Sequence, residues 1–524
     1  MKRIINIFLH KHLIFLILFI LFSYSYGLFE VMNSGPISLH QWRQADCLSI
    51  TQNYGQDNLP FLEPQIHWQG ETNNGKTISE FPIFYYSIGK LWNFTGRQYW
   101  IYRLLNLTIL FIGLFYLKKT TQLLLKNHFW SHFIPLLLFT SPILVYYSNN
   151  FLMNSTSFSI ALIAGYHIAR YCLERQYVNV IYACLLFALA GLLKITALIL
   201  FFGVAGILVY DILRYKSFQK RGRELLPFVV TLGINAAWYS YSSWYNDQNL
   251  KHIFLQGILP VWEMNSDQAN NNLDTLINTL SPEFLNPGLL IFLFLGLLVM
   301  LIFGRAANKY FLALSCLLIF GSAIYIILFF QVFDVHDYYL TNLLIIVPSI
   351  CMLLLLSLKQ FNNKIISSLT IKVTAVLILL ISASMTTVRN RVKYTSQNEI
   401  ITNSPLLDIS RKDYWNWYHW NYAKTFRGLE TIENYLNNIG VTKDKKVISI
   451  PDETINVSLF LMNRKGFNDF GYPHLQKDER IEWAKQKGAE YLIVNDTSIL
   501  GSDYLQPYIK RQIGKHKNVF VFEL

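Results

Sequence analysis

Acidic and basic side chains that could do chemistry occur in a few short stretches between long apolar runs. The first stretch is His40-Gln41-Trp42-Arg43-Gln44-Ala45-Asp46. A carboxylate in such a place can act as a general base, because partial burial raises its pKa toward the working pH of an enzyme. The alternatives for Asp46 are a solvated loop acid and an ion pair with Arg43, and the residues alone leave both open.

A second acid, Glu80, lies in the same segment, within Ser79-Glu80-Phe81-Pro82. Pro82 predicts the start of an amphipathic helix that lies on the bilayer surface. At that position Glu80 is either a first-turn or N-cap acid, worth about 0.3–1 kcal/mol through the helix dipole, or a second functional acid. The presence of Asp46 and Glu80 in one segment favours the functional interpretation.

Two further stretches combine polar residues with apolar flanks. His336-Asp337-Tyr338-Tyr339 lies between two apolar runs, where such groups are costly unless they are used. Its alternative is an aromatic anchor at the membrane interface. Lys194 follows Gly191-Leu192-Leu193 at the turn between two other apolar runs. A cation there can neutralise a phosphate, and its alternative is a lysine that snorkels to the interface.

The elements that must position these residues are membrane spans. The chain has 524 residues, of which 53% are hydrophobic and only 15% charged, whereas soluble proteins carry about 25% charged residues. Apolar runs near the length of a span recur along the sequence, which predicts an α-helical polytopic membrane protein of about eleven spans. The predicted spans are at roughly 12–28, 101–117, 131–147, 155–171, 177–193, 196–213, 226–243, 288–304, 311–330, 339–357 and 370–388.

The distribution of Lys and Arg predicts the orientation. The basic residues of three short loops fall on the same side as the N-terminus when spans alternate, and that side is cytoplasmic. These loops contain Lys118, Lys119, Lys126, Arg214, Lys216, Lys220, Arg221, Arg223, Lys359 and Lys364. The net charge of +13 is thereby explained without a nucleic-acid partner. Residues 29–100, with interfacial helices, and 244–287 become outer loops of a catalytic domain spanning residues 1–390.

The sequence pattern of residues 391–524 predicts a small extracytoplasmic α/β domain. Val447, Leu492 and Val521 mark three apolar strand-like segments, and 480–487 and 505–513 are predicted as helices between them. The chain has no HExxH, CxxC or Walker sequence, so neither a tightly held zinc nor a nucleotide fold is predicted.

Several stretches together resemble the GT-C superfamily of integral membrane glycosyltransferases. They are HQWRQAD, GETNNGKTISEFPIFYY, RLLNL, GLLKITAL and HDYYL. The resemblance covers about residues 1–390 and is closest to the branch of protein mannosyltransferases and aminoarabinose transferases. It implies transfer of a sugar from a polyprenyl-phosphate carrier to a glycan, lipid or protein acceptor outside the cytoplasm, at the cell membrane. No cofactor is clearly implied, and a divalent metal is left open.

The resemblance also implies roles for particular residues. The first-loop aspartate of the family matches Asp46, expected to be the catalytic base, and its acid before Phe-Pro matches Glu80. The phosphate and sugar contacts are expected from Arg43, Lys194, His336, Asp337, Tyr338 and Asn154. Asn154 stands where many members have an acid. A carboxamide cannot accept a proton as a base, which places more weight on Asp46.

Two other functions remain open at this stage. One is a polymerase or ligase that moves whole lipid-linked glycan chains. The other is a transporter or flippase of lipid-linked sugars. No internal repeat and no matching pair of interrupted apolar segments is visible in the sequence, which disfavours the transporter.

The predicted orientation can be measured with reporter fusions. A reporter placed after Gly440 and one inserted within residues 215–223 should report opposite sides of the membrane, because the positive-inside rule assigns them so. Both reporters on one side would contradict the predicted topology.

Overall fold

The computed structural model describes residues 2–216, 221–250, 253–254, 257–303, 308–395, 398–472 and 474–524. Lys220 of the basic segment and residues 251–252 and 255–256 of the predicted second outer loop lie outside these ranges. The chain is mostly helical with one small sheet near the C-terminus, as the sequence predicted.

Two compact units are built from interleaved parts of the chain. The helical unit consists of Met1–Met32, Tyr102–Tyr239 and Gly257–Arg391. The mixed unit consists of Asn33–Ile101, Ser240–Gln256 and Val392–Leu524. The first predicted outer loop and the tail thus belong to the same unit.

Long apolar helices make up most of the helical unit. Its α-helices, of which Tyr99–Leu125 begins and Leu225–Gln248 ends within the mixed unit's part of the chain, are Lys2–Ser25, Tyr99–Leu125, His128–Leu138, Pro142–Ser148, Asn154–Glu174, Tyr177–Leu193, Ile199–Arg214, Leu225–Gln248, Ser266–Asp274, Ser281–Phe284, Pro287–Phe303, Lys309–Leu328, Ile346–Phe361, Asn363–Ser367 and Leu369–Arg391. Shorter turns of 3₁₀ or π-helix are Ile195–Leu198, Gly222–Glu224, Val261–Glu263, Thr275–Leu280, Phe330–Asp334 and Asp337–Ile345.

Within the described ranges, 5 helices are long and apolar enough to cross a membrane, or up to 7 if each of two bent pairs is one span. The straight ones are Tyr99–Leu125, Ile195–Arg214, Lys309–Leu328, Asp337–Phe361 and Leu369–Arg391. Shorter apolar helices occupy His12–Ser25 and Tyr177–Leu193. The total of about eleven spans remains a prediction from the sequence.

One bent pair shows how a break inside the apolar region is stabilised. His128–Leu138 and Pro142–Ser148 meet at 78°. The break frees the carbonyl of Thr140, which accepts hydrogen bonds from the side chains of Asn286 and Thr386. Freed backbone groups in an apolar setting require such partners, because no water is there to replace them.

The mixed unit contains short helices and a five-stranded sheet. Its helices are Gln41–Gln56, Ile83–Thr95, Glu399–Thr402, Ile409–Thr425, Leu429–Thr431, Glu433–Asn438, Val457–Met462, Lys477–Gln486, Thr497–Ile499 and Asp503–Leu505. Its strands are β1 Lys446–Ile450, β2 Gly466–Asn468, β3 Ala489–Val494, β4 Gln512–His516 and β5 Val519–Glu523. The order is β2-β1-β3-β5-β4, parallel from β2 to β3 and antiparallel beyond.

The predicted helix at 505–513 is wrong. Residues 503–505 form one 3₁₀ turn, and Gln512–His516 is an edge strand paired with β5. Pro507 would fall in the first turn of such a helix, where it is tolerated, so it does not explain the difference. The backbone groups of Gln512–His516 are instead satisfied by pairing with β5.

The first predicted outer loop is joined to this sheet. Trp68 forms a parallel bridge with Gly466, at the start of β2. The amide of Gln69 donates to the carbonyl of Gly466 at 2.9 Å, and the amide of Gly466 donates to the carbonyl of His67 at 3.1 Å. A Cβ at Gly466 would lie 1.9 Å from the carbonyl oxygen of Val447, so only glycine fits there. The chain segment after Asp46 is therefore fixed to the sheet by backbone contacts.

Candidate functional site

Helix Gln41–Gln56 positions the first candidate residues. Arg43 and Asp46 are three residues apart, which places both on one face of the helix. Arg43 is 6% exposed and Asp46 is 0% exposed. The alternative of a solvated loop acid is therefore wrong for Asp46: the residue is helical and buried.

Glu80 is the principal partner of Arg43. The guanidinium Nη2 donates to both carboxylate oxygens, at 2.7 and 2.9 Å. The hydroxyls of Tyr85, at 2.8 Å, and of Ser79 also donate to Glu80. Helix Ile83–Thr95 begins after Pro82, as predicted, but its Pro82 N-cap makes no side-chain cap hydrogen bond. The N-cap role considered for Glu80 is therefore wrong, and Glu80 instead holds Arg43.

Asp46 has a different environment from Glu80. Its Oδ1 accepts a hydrogen bond of 2.7 Å from the side-chain amide of Asn456. Its Oδ2 lies 3.6 Å from Arg43 Nη1, close enough for an ion pair but too long for a hydrogen bond. In the part of the chain that the structure describes, this Oδ2 has no hydrogen-bond partner.

Burial dominates the acidity of Asp46. It raises the pKa of this carboxyl from 3.8 to about 6, because a buried charge loses its hydration. The positive charge of Arg43 and the hydrogen bond from Asn456 oppose that rise. Glu80 adds a negative charge nearby and raises the pKa further. A carboxylate with a pKa near neutrality and one unpartnered oxygen has the properties of a general base.

Three residues that the sequence analysis missed, Asn456, Ser49 and His67, form a hydrogen-bonded chain that starts at Asp46. Asn456 Oδ1 accepts from the amide of Trp68 at 3.0 Å and from the hydroxyl of Ser49 at 3.5 Å. Ser49 also lies 2.7 Å from His67 Nδ1. Burial lowers the pKa of His67 to about 3, so this imidazole is neutral at physiological pH. No sequence signal links Asn456 to Asp46, since 410 positions separate them.

The other candidate residues lie in the helical unit. Lys194 ends helix Tyr177–Leu193, with its Nζ 5.7 Å from the ring centroid of Tyr338 and 5.1 Å from that of Tyr339. The side-chain amide of Asn154 donates to the carbonyl of Tyr338 at 2.9 Å. The structure thus brings Lys194, Asn154 and Tyr338 together from three distant parts of the sequence.

Asp337 and His336 complete this lysine–tyrosine cluster. Asp337 is buried and accepts a short hydrogen bond from the hydroxyl of Tyr147, a residue that the sequence analysis did not select. The ring of His336 packs edge-on against Tyr338, with centroids 5.5 Å apart. His336 Nδ1 lies 3.9 Å from the carboxylate of Asp334, a weak contact. The positive charge of Lys194 beside two tyrosine rings suits the binding of a polar, anionic group.

The described residues contain no group of three or more His, Cys, Asp or Glu side chains arranged to hold a metal ion. Asn154, which the family resemblance set in place of an acid, donates its amide to a backbone carbonyl.

Comparison with solved structures identifies the fold. The chain resembles ArnT from Cupriavidus metallidurans, in a crystal structure with undecaprenyl phosphate bound and in one of the apo state. The TM-scores are 0.56 and 0.55, the sequence identities 12% and 11%, and 97% of each chain is covered in both cases. No protein-family model and no curated protein matches the chain in sequence.

The fold that the motifs indicated is thereby confirmed. The apolar helices and this fold together identify a multi-pass membrane protein.

The acidity of Asp46 makes a prediction about stability. The folded chain keeps the proton on Asp46 up to about pH 6, whereas an unfolded chain releases it near 3.8. The contribution of Asp46 to the free energy of unfolding should therefore fall by roughly 3 kcal/mol as pH rises from about 4 to 6, and stay level above.

Thermal unfolding of purified protein between pH 4.5 and 7.5 measures this effect. Burial also raises the pKa of Asp469 to about 6, so the relevant quantity is the difference between wild type and Asp46→Asn. Relative to wild type, Asp46→Asn should become more stable as pH rises from 4.5 to about 6, and the difference should stay level above 6. Parallel curves for the two proteins would show that Asp46 does not titrate in this range.

Proposed function

We propose that this chain is a glycosyltransferase that moves a sugar from a polyprenyl-phosphate carrier to an acceptor hydroxyl on the outer side of the cell membrane. The observation that carries the proposal is the buried Asp46 carboxylate with one oxygen bonded to Asn456 and the other without a hydrogen-bond partner in the described structure. The fold likeness to ArnT, whose crystal structure holds undecaprenyl phosphate, supports a lipid-linked donor.

The reaction assigned to Asp46 is a single displacement. The acceptor hydroxyl loses its proton to Asp46 as its oxygen bonds to the anomeric carbon. The bond from that carbon to the phosphate oxygen breaks, and its electron pair leaves with polyprenyl phosphate. Attack opposite the leaving group inverts the configuration at the anomeric carbon.

Glu80 and Arg43 have a supporting role in this proposal. Both oxygens of Glu80 are already engaged by Arg43, so Glu80 is poorly placed to accept a further proton. The Arg43 guanidinium is in turn neutralised by Glu80 and packs over Phe254, 4.6 Å from the ring centroid. We therefore assign this pair to tuning the charge of Asp46 rather than to binding the departing phosphate.

The lysine–tyrosine cluster is assigned to the phosphate. Lys194 supplies a positive charge, and Tyr338 supplies a phenol beside it. His336 can add a second positive charge when protonated. A phosphate that gains negative charge as the sugar leaves is stabilised most by fixed cations of this kind.

Asp46→Asn tests the base directly. The substitution keeps the size of the side chain but removes the proton acceptor, so turnover should fall about 10²–10⁴-fold. Donor binding should change much less, because the proposal assigns it to Lys194. The assay is release of polyprenyl phosphate from purified polyprenyl-phosphate sugars, alongside donor binding and melting temperature.

Asp57→Asn is the matched control. Asp57 follows the same helix and pairs with Lys465 at 2.7 Å, away from the Arg43 group. It should keep near wild-type turnover. More than half of wild-type turnover in Asp46→Asn would remove Asp46 as the base. Movement of the lipid-linked sugar across vesicles without any release of polyprenyl phosphate would indicate the flippase alternative instead.

Lys194→Ala tests the phosphate contact. One charge-assisted hydrogen bond is worth about 1.5–3 kcal/mol, so donor use should weaken more than about tenfold. Lys119→Ala is its control, because Lys119 also lies over two tyrosine rings, 4.7 Å from Tyr116 and 4.6 Å from Tyr166. Unchanged donor affinity and turnover in a well-folded Lys194→Ala protein would remove Lys194 from the site.

A further inference from the structure

We infer that Asn456, in the C-terminal part of the chain, is a positioning residue for the Asp46 base. It holds one carboxylate oxygen so that the other remains available for the acceptor proton. The inference rests on the proposed role of Asp46. It assigns to the C-terminal domain a direct part in the reaction, rather than a role as an appended module.

The orientation of the Asn456 amide is determined by its neighbours. Its Oδ1 accepts from the backbone amide of Trp68, which can only donate. Its Nδ2 must therefore point the other way, and it donates to Asp46 Oδ1 at 2.7 Å. Asn456 is 0% exposed, so water does not compete for either contact. A carboxylate held in this way has one oxygen committed and one available.

Asn456 is itself held in place by a buried turn. The carboxylate of Asp452 accepts from the amide of Thr454 at 2.9 Å, from its hydroxyl at 2.6 Å, and from the amide of Ser458 at 2.9 Å. The side-chain amide of Asn468 donates to the carbonyl of Thr454 at 2.7 Å. The turn between β1 and helix Val457–Met462 therefore has few ways to move, and Asn456 follows it.

The second contact of Asn456 depends on the sheet. Trp68, which donates to Asn456, is the residue that bridges to Gly466 at the start of β2. The same strand supplies Asn468, which supports the turn. Strand β2 thus fixes both Trp68, the donor to Asn456 Oδ1, and the turn that carries Asn456. Such an arrangement is stiffer than a single hydrogen bond from a loop residue.

The pKa of Asp46 depends on the charged groups around it as well as on its hydrogen bond from Asn456. Arg43 faces Asp46 from the same helix, and Glu80 faces it from the segment before helix Ile83–Thr95. His67, three contacts from Asp46 through Asn456 and Ser49, is neutral above pH 5, since burial lowers its pKa to about 3. The hydrogen bond from Asn456 favours the ionised carboxylate and lowers the pKa of Asp46. Removing it should therefore move the titration of Asp46 to higher pH.

The test compares the pH dependence of kcat/KM in full-length wild type, Asn456→Ala and Asn456→Asp. The acidic limb should move up by about one pH unit in Asn456→Ala. It should move further in Asn456→Asp, which keeps the acceptor for Trp68 but sets a second carboxylate against Asp46. At pH 8, kcat should fall about tenfold in Asn456→Ala, because the carboxylate loses its orientation.

Asn495→Ala is the matched control. Asn495 is an equally buried amide of the same unit, and it donates to the carbonyls of Thr425 and Pro451 at 3.0 and 3.4 Å. Its loss should lower the melting temperature without moving the acidic limb. An unmoved limb in Asn456→Ala and Asn456→Asp, with destabilisation like that of Asn495→Ala, would overturn the inference.

A readout without turnover separates this inference from the proposed function. In wild type, the melting temperature should fall with rising pH until Asp46 is ionised. In Asn456→Ala this fall should continue to higher pH. In the double variant Asn456→Ala/Asp46→Asn this continued fall should be absent. If wild type transfers no sugar but this shift is present, the proposed function fails while the coupling of Asn456 to Asp46 stands. If wild type is active and the shift is absent, the inference fails alone.

Discussion

The site depends on one electrostatic imbalance: two carboxylates and one guanidinium are buried together, and the charges do not cancel. Glu80 accepts two hydrogen bonds from the Arg43 guanidinium, whereas Asp46 Oδ2 lies 3.6 Å from Arg43 Nη1. An uncompensated charge in a dry environment is costly, and the pKa of Asp46 rises in response. The same imbalance that destabilises the fold above pH 6 gives Asp46 the proton affinity that a base needs at neutral pH. Substituting either partner of the Arg43–Glu80 pair would therefore affect both stability and the acidity of Asp46.

The sheet explains how such a group is kept in place. The segment after helix Gln41–Gln56 bridges to Gly466, and the turn after β1 places Asn456 against Asp46. Both ends of the chain therefore contribute to one buried polar network that includes Ser49 and His67. A partly satisfied network of this kind is unstable unless its members are fixed by rigid elements. The parallel strands and the turn secured by Asp452 provide that rigidity.

Patterns local in sequence predicted much of the fold and some of the site. Long apolar runs predicted the helices, strand propensity located β1, β3 and β5, and Pro82 marked the start of helix Ile83–Thr95. The motif around Asp46 and the lysine turn at Lys194 led to a fold that the comparison with ArnT confirmed. The burial of Asp46, the pairing of Glu80 with Arg43 and the contact of Asn456 depend on tertiary contacts between distant residues. No periodicity or motif encodes such contacts, and for the same reason the edge strand Gln512–His516 was predicted as helix.

The most direct test of Asp46 as the base is the pH profile of kcat/KM for sugar release from a polyprenyl-phosphate donor, which reports the ionisation of the free enzyme. Wild type should show an acidic limb near pH 6, because burial sets the pKa of Asp46 at about 6. Glu80→Gln should move that limb to lower pH, since it removes the negative charge that raises the pKa of Asp46. A wild-type limb near pH 4, or one that Glu80→Gln leaves in place, would contradict the assignment of Asp46 as the catalytic base.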